Sequence, residues 1–511
     1  MIHSAIFNTR RELEVATGTG LAPTGGFKPG RDSTVFQASL APEIVTDSQK
    51  RMPADYAGLP VTLGAPPTTE SVRMQCLIIA AGEGSRLRQN GSCKPLTPIL
   101  GVPLIERVIR SGLQAGVDDF YVVTGYQGRR VQDFLSRLSD RLGVHITPIN
   151  NEDWKKENGL SVLKARKYLR GSFLLLMADH LFDPTIAREL MRFPRTDGEI
   201  ILGVDGNMGN SLIDMEDVTR VKSEGDKLRD IGKGLTDFNG FDTGIFLCTP
   251  SIFRALEYCA KEYGDTSLSA AVRVLAGEDR VKTVDVSGYF VIDVDDPSAF
   301  KRAENALLAN LRDKPSDGPV SRHFNRPLSV GISRLLVKYP VTPNQISLFS
   351  FLCSMLAAGL FSVGSYAMLL LGGLLTQFAS VIDGCDGEVA RLKFQSSDYG
   401  GWLDAVLDRY ADAALLFGLT WHAYTNDMDS LILLTGFLAI TGSFMVSYTA
   451  DKYDNRMRGR WGKRLRVGRD LRLLLIFLGA LFNQPYLTLL VLAIVMNGEA
   501  IRRVIVCRDH G

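Results

Sequence analysis

Four aspartates, Asp383, Asp386, Asp404 and Asp408, lie within two long apolar stretches in the string DGCDGEVARLKFQSSDYGGWLDAVLD, where a charge is costly and usually functional. On a helix, Asp383 and Asp386 are three residues apart, while Gly400, Asp404 and Asp408 repeat every four. Each set therefore lies along one helical face, and the two faces can converge. Four hard oxygen donors converging at a membrane boundary suit a divalent cation, Mg²⁺ or Mn²⁺, that carries phosphates. Gly387, Gly400 and Gly401 allow a bulky phosphorylated ligand near the backbone, and Arg391 offers a fork of donors.

A second chemistry is written near residue 80. CLIIAAGEGSRL reads as a strand ending in a glycine-rich turn (Ala80, Ala81, Gly82, Gly84), whose backbone N–H groups can face a triphosphate. Arg86 is close by, and Lys94 of the following KPL can neutralise phosphate charge. Neither the Rossmann G-x-G-x-x-G nor the Walker A spacing occurs.

The elements that must hold these residues follow from patterning. The 511 residues suffice for two or three domains, and a formal charge of +2 gives no general case for nucleic-acid binding. Seven cysteines without C-x-x-C pairs argue against zinc and a disulfide framework, favouring a reducing, cytoplasmic setting. Residues 1–73, rich in Gly, Pro, Thr and Ser, read as a disordered extension without a secretory signal. Over 74–311, apolar runs (CLIIA, DDFYVVTGY, SFLLLMAD, GEIILGVD) alternate with helical patterns, which predicts an α/β domain with a mainly parallel sheet. Residues 312–340 read as a linker followed by a helix on the membrane surface, apolar on one side and basic on the other. From 341 to 511, six apolar segments predict an all-α transmembrane domain of six spans. The loop 451–472 holds nine Lys and Arg, whereas the segments around 363–366, 422–430 and 483–486 hold none. The positive-inside rule then places the front domain, the aspartates and the C-terminus in the cytoplasm. Beside the aspartates the same loop, with Arg456, Arg458 and Arg460, is a candidate entrance for a phosphorylated acceptor; simple topology explains its charge equally well.

From Asp383 to Asp408 the string fits D-x-x-D-G-x-x-A-R-(x)8-G-x-x-x-D-x-x-x-D, Ala390 included, and so resembles the CDP-alcohol phosphotransferases, membrane enzymes that displace CMP from a CDP-alcohol. The resemblance implies a nucleotide site at Gly387, Ala390 and Arg391, metal ligands among Asp383, Asp386, Asp404 and Asp408, and Asp408 as general base. It also implies a homodimer. The front domain, with L-x-x-A-A-G-x-G-x-R-L, K-P-L and G-x-P-L-I-E in that order, resembles the nucleotidyltransferases that join a nucleoside triphosphate to a sugar phosphate. That likeness implies metal ligation by Asp179 and Asp293 with Asp295 nearby, and Lys94 as the catalytic cation. In NEDWKKENGLSV it implies nucleotide contacts from Asn158 and Ser161; in GFDTGIFL, acceptor contacts from Asp242 and Thr243. Lys233 is a further acceptor-phosphate candidate, although exposed lysines are more often merely solvated. Ala178-Asp179-His180 replaces the usual G-D, and Asp295-Asp296-Pro297 a D-T-P; both keep the carboxylates.

The two modules in this order resemble bifunctional inositol-1-phosphate cytidylyltransferases/di-myo-inositol-phosphate-phosphate synthases, in which one domain makes the CDP-alcohol that the other consumes. The resemblance implies CTP and inositol 1-phosphate as substrates and a role in compatible-solute synthesis. A CDP-alcohol phospholipid synthase with an unrelated front domain, and a transporter with a nucleotide-binding regulatory domain, are the alternatives; a water-soluble phosphodiester product excludes the first.

Overall fold

The computed structural model describes residues 74–90, 93–312, 320–450, 453 and 468–508, and Thr69–Gly511 form one compact unit. The expected extension at 1–73 lies outside the described residues.

The front half is built on one nine-stranded sheet. Its strands are β1 (Gln75–Ala80), β4 (Asp119–Thr124), β5 (His145–Asn150), β6 (Phe173–Met177), β8 (Ile200–Asp205), β9 (Arg220–Glu224), β10 (Lys227–Gly232), β11 (Gly240–Cys248) and β12 (Val281–Asp285), in the order β5-β4-β1-β6-β11-β8-β12-β10-β9. The short strands β2 (Pro98–Ile99) and β3 (Val102–Pro103) pair with each other, as do β7 (His180–Phe182) and β13 (Val291–Asp293). The four apolar runs picked out in the sequence form β4, β1, β6 and β8. The first three, with β5, are parallel, and their Leu, Ile, Val and Phe side chains are sealed on both faces by helices. The antiparallel β11 enters between β6 and β8, so the parallel arrangement ends beside the site. Seven helices pack around this sheet: α1 (Leu104–Ala115), α2 (Gly128–Leu142), α3 (Asn158–Lys164), α4 (Pro184–Arg192), α5 (Ser251–Glu262), α6 (Leu268–Gly277) and α7 (Pro297–Arg312).

A π-helical turn, Ser321–Asn325, leads into α8 (Arg326–Leu336), which precedes the helical half: α9 (Pro343–Phe361), α10 (Tyr366–Leu392), α11 (Asp398–Asp427), α12 (Ser430–Tyr448), α13 (Arg469–Leu481) and α14 (Pro485–Arg508). Local capping sets where these helices begin. Thr342 and Gln345 form a capping box around Pro343, Ser365 caps α10 and Ser397 caps α11. Among the described residues, α9, α10 and α12 are long and apolar enough to cross a membrane.

α8 departs from a simple apolar-inside, basic-outside helix. Its inward face is apolar only in part: Val330 joins the core, but Arg326 Nη1 (2.7 Å), Ser329 Oγ (2.6 Å) and Ser333 Oγ (2.7 Å) all donate to Glu388 of α10, which is wholly buried, while Leu328 and Leu335 face outward. A carboxylate sealed inside the bundle requires this many donors, and α8 supplies them.

The two halves share a core. Ile99, Leu104, Leu181 and Ile292 pack in one cluster with Ile382, Val389 and Leu392 of α10. Arg107 of α1 donates to the carbonyls of Ile99 (2.9 Å) and Leu392 (3.0 Å), and both Arg107 and Arg110 stack on Phe394. Gly101, at φ 79°, lies so near α8 that a Cβ would stand 2.3 Å from the Val337 carbonyl oxygen.

Candidate active sites

In the front half the site is assembled at the C-terminal ends of adjacent parallel strands. β1 and β6 run in register, Ile79 opposite Met177, so the glycine-rich turn after β1 and Asp179 after β6 emerge side by side. Such a crevice is where α/β sheets bind nucleotides. Gly84 adopts φ 59°, and a Cβ there would lie 2.4 Å from Lys94 Cβ; glycine thus brings the buried lysine under the turn. The β7–β13 ribbon sets His180 opposite Asp293 and leads directly into Asp295.

These residues form a compact charge network. Lys94 Nζ donates to Asp179 Oδ2 at 2.5 Å and to Asp295 Oδ1. His180 Nδ1 is 2.8 Å from Asp179 Oδ1 and 3.7 Å from Asp293 Oδ1. Burial alone would lower the Lys94 pKa, but Asp179, Asp293 and Asp295 outweigh it and hold the ammonium charged. Burial likewise opposes ionisation of Asp179, yet Lys94 and His180 drive its pKa well below the usual carboxylate range. Asp293, raised by burial and by the neighbouring Asp179 and Asp295, is pushed up to about 7. One ligand atom each from Asp179, His180 and Asp293 lie within 4.8 Å of one another, a spacing that one divalent cation with ligands at about 2.1 Å can nearly close.

Two cavities meet at Asp179. One, of about 260 Å³, is lined by Ala80, Gly82, Gly84, Arg86 and Lys94. The other, of about 360 Å³, is lined by Trp154, Asn158, Ser161, Lys233, Asp242 and Thr243. Ala81 lies under the turn and borders the larger cavity. Several of these groups have structural partners: Asn158 Oδ1 accepts from Leu268 N (3.0 Å), and Ser161 Oγ from Asn151 Nδ2 (3.0 Å). Thr243, expected to contact the acceptor, is buried and gives its hydroxyl to the Gly203 carbonyl at 2.8 Å, which leaves only its surface to the cavity. Asp242 accepts from Gly244 N (2.8 Å), and burial pushes its pKa up to about 6. Asp217, which sequence reasoning missed, binds Arg86 and Lys233 at 2.6 Å each, linking the two cavities.

In the helical half, α10 and α11 bring Asp383, Asp404 and Asp408 together, their ligand oxygens also within 4.8 Å of one another. Asp386 adjoins Asp404; its Oδ2 accepts from Ser347 of α9 at 2.5 Å, and its Oδ1 from Gly387 N. Ser350 Oγ donates to Asp383 Oδ1 at 3.3 Å. Three residues, Arg469, Arg472 and Asp412, complete the cluster without having been anticipated. Arg469, at the start of α13, reaches Asp383 (2.7 Å), Asp408 (2.6 Å) and Asp412 (3.1 Å), and Arg472 also meets Asp412 (3.2 Å). Asp412 extends the four-residue repeat of Asp404 and Asp408 by one turn, a signal present in the sequence. Ala390 is buried and Gly387 lies 3.4 Å, measured from an ideal Cβ, from Arg391 Nη1. Arg456, Arg458 and Arg460 lie outside the described residues.

Fold and sites together define a nucleotidyltransferase joined to a CDP-alcohol transferase. Residues 76–272 match the MobA-like NTP transferase domain family and residues 340–499 the CDP-alcohol phosphatidyltransferase family. A "Bifunctional IPC transferase and DIPP synthase" of Rubrobacter xylanophilus is 36% identical over 444 residues, 86% of this chain and 97% of that protein. One of the same name from Aquifex aeolicus is 33% identical over 82% of this chain and 95% of that protein. An archaetidylinositol phosphate synthase of Pyrococcus horikoshii is 30% identical over 34% of this chain and 87% of its own length. The chain belongs to the family of bifunctional IPC transferases and DIPP synthases.

Proposed function

We propose that the chain carries out two successive phosphoryl-centred transfers: CTP and inositol 1-phosphate give CDP-inositol and pyrophosphate, and CDP-inositol and a second inositol 1-phosphate then give di-myo-inositol phosphate phosphate and CMP. The observation that carries this reading is the presence, in one chain of this family, of two separate carboxylate clusters, each with a buried cationic side chain in contact.

In the first reaction the phosphate oxygen of inositol 1-phosphate attacks the α-phosphorus of CTP and pyrophosphate leaves. The turn Ala80–Gly84 and Arg86 cradle the triphosphate, while Lys94 faces the charge that develops on the reacting phosphate. Asn158 and Ser161 border the nucleotide, and Lys233 and Asp242 the inositol phosphate. A divalent cation, Mg²⁺ or Mn²⁺, held by Asp179 and Asp293 would neutralise phosphate charge.

In the second reaction a hydroxyl of the acceptor attacks the inositol-bearing phosphorus of CDP-inositol and CMP leaves. Asp383, Asp404 and Asp408, supported by Asp386, are the residues to hold divalent cations on the pyrophosphate, with Gly387, Ala390 and Arg391 beside the nucleotide. Asp408, one turn beyond Asp404, takes the hydroxyl proton. Arg469, already seated among these carboxylates, joins the basic segment that precedes it in offering charge to the acceptor phosphate. Residues 1–73 form an extension, 74–311 the cytidylyltransferase, 312–340 the juxtamembrane element and 341–511 the transferase. Helices α9–α14 make six spans, with both sites cytoplasmic by the charge of the 451–472 segment, and the chain works as a homodimer in the bilayer.

The test is ³¹P NMR of purified membranes given CTP, Mg²⁺ and inositol 1-phosphate. A water-soluble phosphodiester with CMP and pyrophosphate is expected; a product that partitions only into lipid would overturn the reading.

A further inference from the structure

His180 belongs to the segment that departs from the usual G-D, and the chemistry proposed above gives it no role. It follows Asp179 on β7 and lies directly across the ribbon from Asp293, so its ring is delivered between the two carboxylates expected to hold the cation. Nδ1 faces both, at 2.8 and 3.7 Å, and the Asp179, His180 and Asp293 ligand atoms all fall within 4.8 Å. The ring is 18% exposed as a side chain. The opposite wall is cut to receive it: Gly244, at φ 70°, would with a Cβ come 2.6 Å from His180 Cδ2 and 2.8 Å from Nε2. Glycine in the D-T-G segment of β11 therefore makes the room that fixes this imidazole. Without a cation, Nδ1–H donates to Asp179 Oδ1; a cation where the carboxylates converge would replace that proton and meet the Nδ1 lone pair, with Nε2 keeping its hydrogen.

We infer that His180 is a third protein ligand to the cation of the cytidylyl-transfer site, and that its nitrogen biases this site toward a transition-metal ion of the Mn²⁺ type over Mg²⁺. This rests on the reading that Asp179 and Asp293 hold that cation. Carboxylates alone suit Mg²⁺, a hard ion that takes nitrogen reluctantly, whereas imidazole suits first-row transition metals. The cluster of Asp383, Asp404 and Asp408 offers oxygen only, so the two sites of one chain should differ in metal preference.

The experiment is electron spin-echo envelope modulation of Mn²⁺ bound to the full-length detergent-solubilised protein, without nucleotide. Modulation from a directly coordinated ¹⁴N is expected, changing to the ¹⁵N pattern when histidine is labelled and disappearing in His180→Gln. In parallel, His180→Gln should weaken Mn²⁺ at this site by about tenfold or more, a loss of the order seen when the surroundings of a metal are disturbed, and weaken Mg²⁺ less. Transfer from supplied CDP-inositol reports that the variant is folded. Absence of nitrogen coupling in the wild type, or coupling that survives in His180→Gln, overturns the inference. The labelled wild type decides the matter even if the variant fails to fold. Asp179→Asn separates the two readings: if Mn²⁺ binding and cytidylyl transfer both survive it, the metal site itself is misassigned; if both are lost while nitrogen coupling is absent from the wild type, only His180 is.

Discussion

Lys94 should affect one activity and spare the other. It is 8% exposed and contacts both Asp179 and Asp295, so Lys94→Met removes the buried ammonium proposed to face the reacting phosphate. Losing a preorganised group of this kind costs about a hundred- to a thousandfold in rate, roughly 2.7–4 kcal/mol. CDP-inositol formation should fall by that factor, while transfer from supplied CDP-inositol, assigned above to Asp383, Asp404 and Asp408, stays near the wild-type rate. The same substitution leaves Asp179, Asp293 and Asp295 with only His180 and, 3.8 Å from Asp295, Arg86 close by. Breaking a buried ion pair costs about 3–5 kcal/mol; with His180 in place, the lower end applies. For a domain of this size that lowers the melting temperature by about 10 °C, and added Mn²⁺ or Mg²⁺ should recover much of it. The assays are separate radiolabelled half-reactions and thermal unfolding with and without divalent cation. Equal loss in both half-reactions, or cytidylyl transfer at the wild-type rate, would refute the reasoning.

Asp408→Asn should reduce kcat for the second transfer by about a hundred- to ten-thousandfold while CDP-inositol still binds by calorimetry; an unchanged rate means that the proton leaves by another route. Neutral replacement of Arg456, Arg458 and Arg460 should raise the acceptor's KM more than the CDP-donor's, and steady-state kinetics that show neither change would leave topology as the loop's role. Glu388→Gln should destabilise the protein in detergent by about 3 kcal/mol, because the buried Arg326–Glu388 ion pair is broken; thermal unfolding of the Arg326→Met/Glu388→Met pair should recover part of it. Asp242, whose pKa rises from 3.8 to about 6, binds its proton more tightly folded than unfolded, so its contribution is full below about pH 4 and lost as pH rises through 6. Relative to Asp242→Asn, the wild-type melting temperature should therefore fall across that window.

The signature helices and the glycine-rich turn were legible because their chemistry is local: Asp383 to Asp408 and Ala80 to Lys94 are short strings with fixed spacing, and helical or strand geometry does the rest. Four strands were legible for the same reason, since β1, β4, β6 and β8 are continuous apolar runs. The groups missed were those that reach their site only through tertiary structure. Arg469 lies 61 positions beyond Asp408 in a run of basic residues whose charge is already explained by topology. Asp217 sits in a polar loop with no pattern at all, and its two cations come from the β1 turn and the end of β10. His180 was visible as a departure from the usual motif, but only the β7–β13 register brings it to Asp293. Glu388 was hidden by an opposite error: inside an apolar helix next to functional acids, nothing local told that its partners would be the arginine and serines of α8. Thr243 lines the cavity at the position its motif marks, but a motif position does not say which way a hydroxyl is turned, and here it goes to the Gly203 carbonyl.

The shared core between the two halves has a bearing on modularity. Arg107 ends its reach on the last carbonyl of the signature helix, and Phe394 lies beneath two arginines of the front domain. The seam in the sequence near residue 320 is therefore not a seam in the fold. A front domain cut free there would present Ile99, Leu104, Leu181 and Ile292 to water along with an arginine that has lost one of its two carbonyl acceptors. The two enzymes cannot be exchanged as cassettes: a working chimera must carry α1, the 98–103 ribbon and the end of α10 from one parent, and drift in any of these has to be answered across the joint.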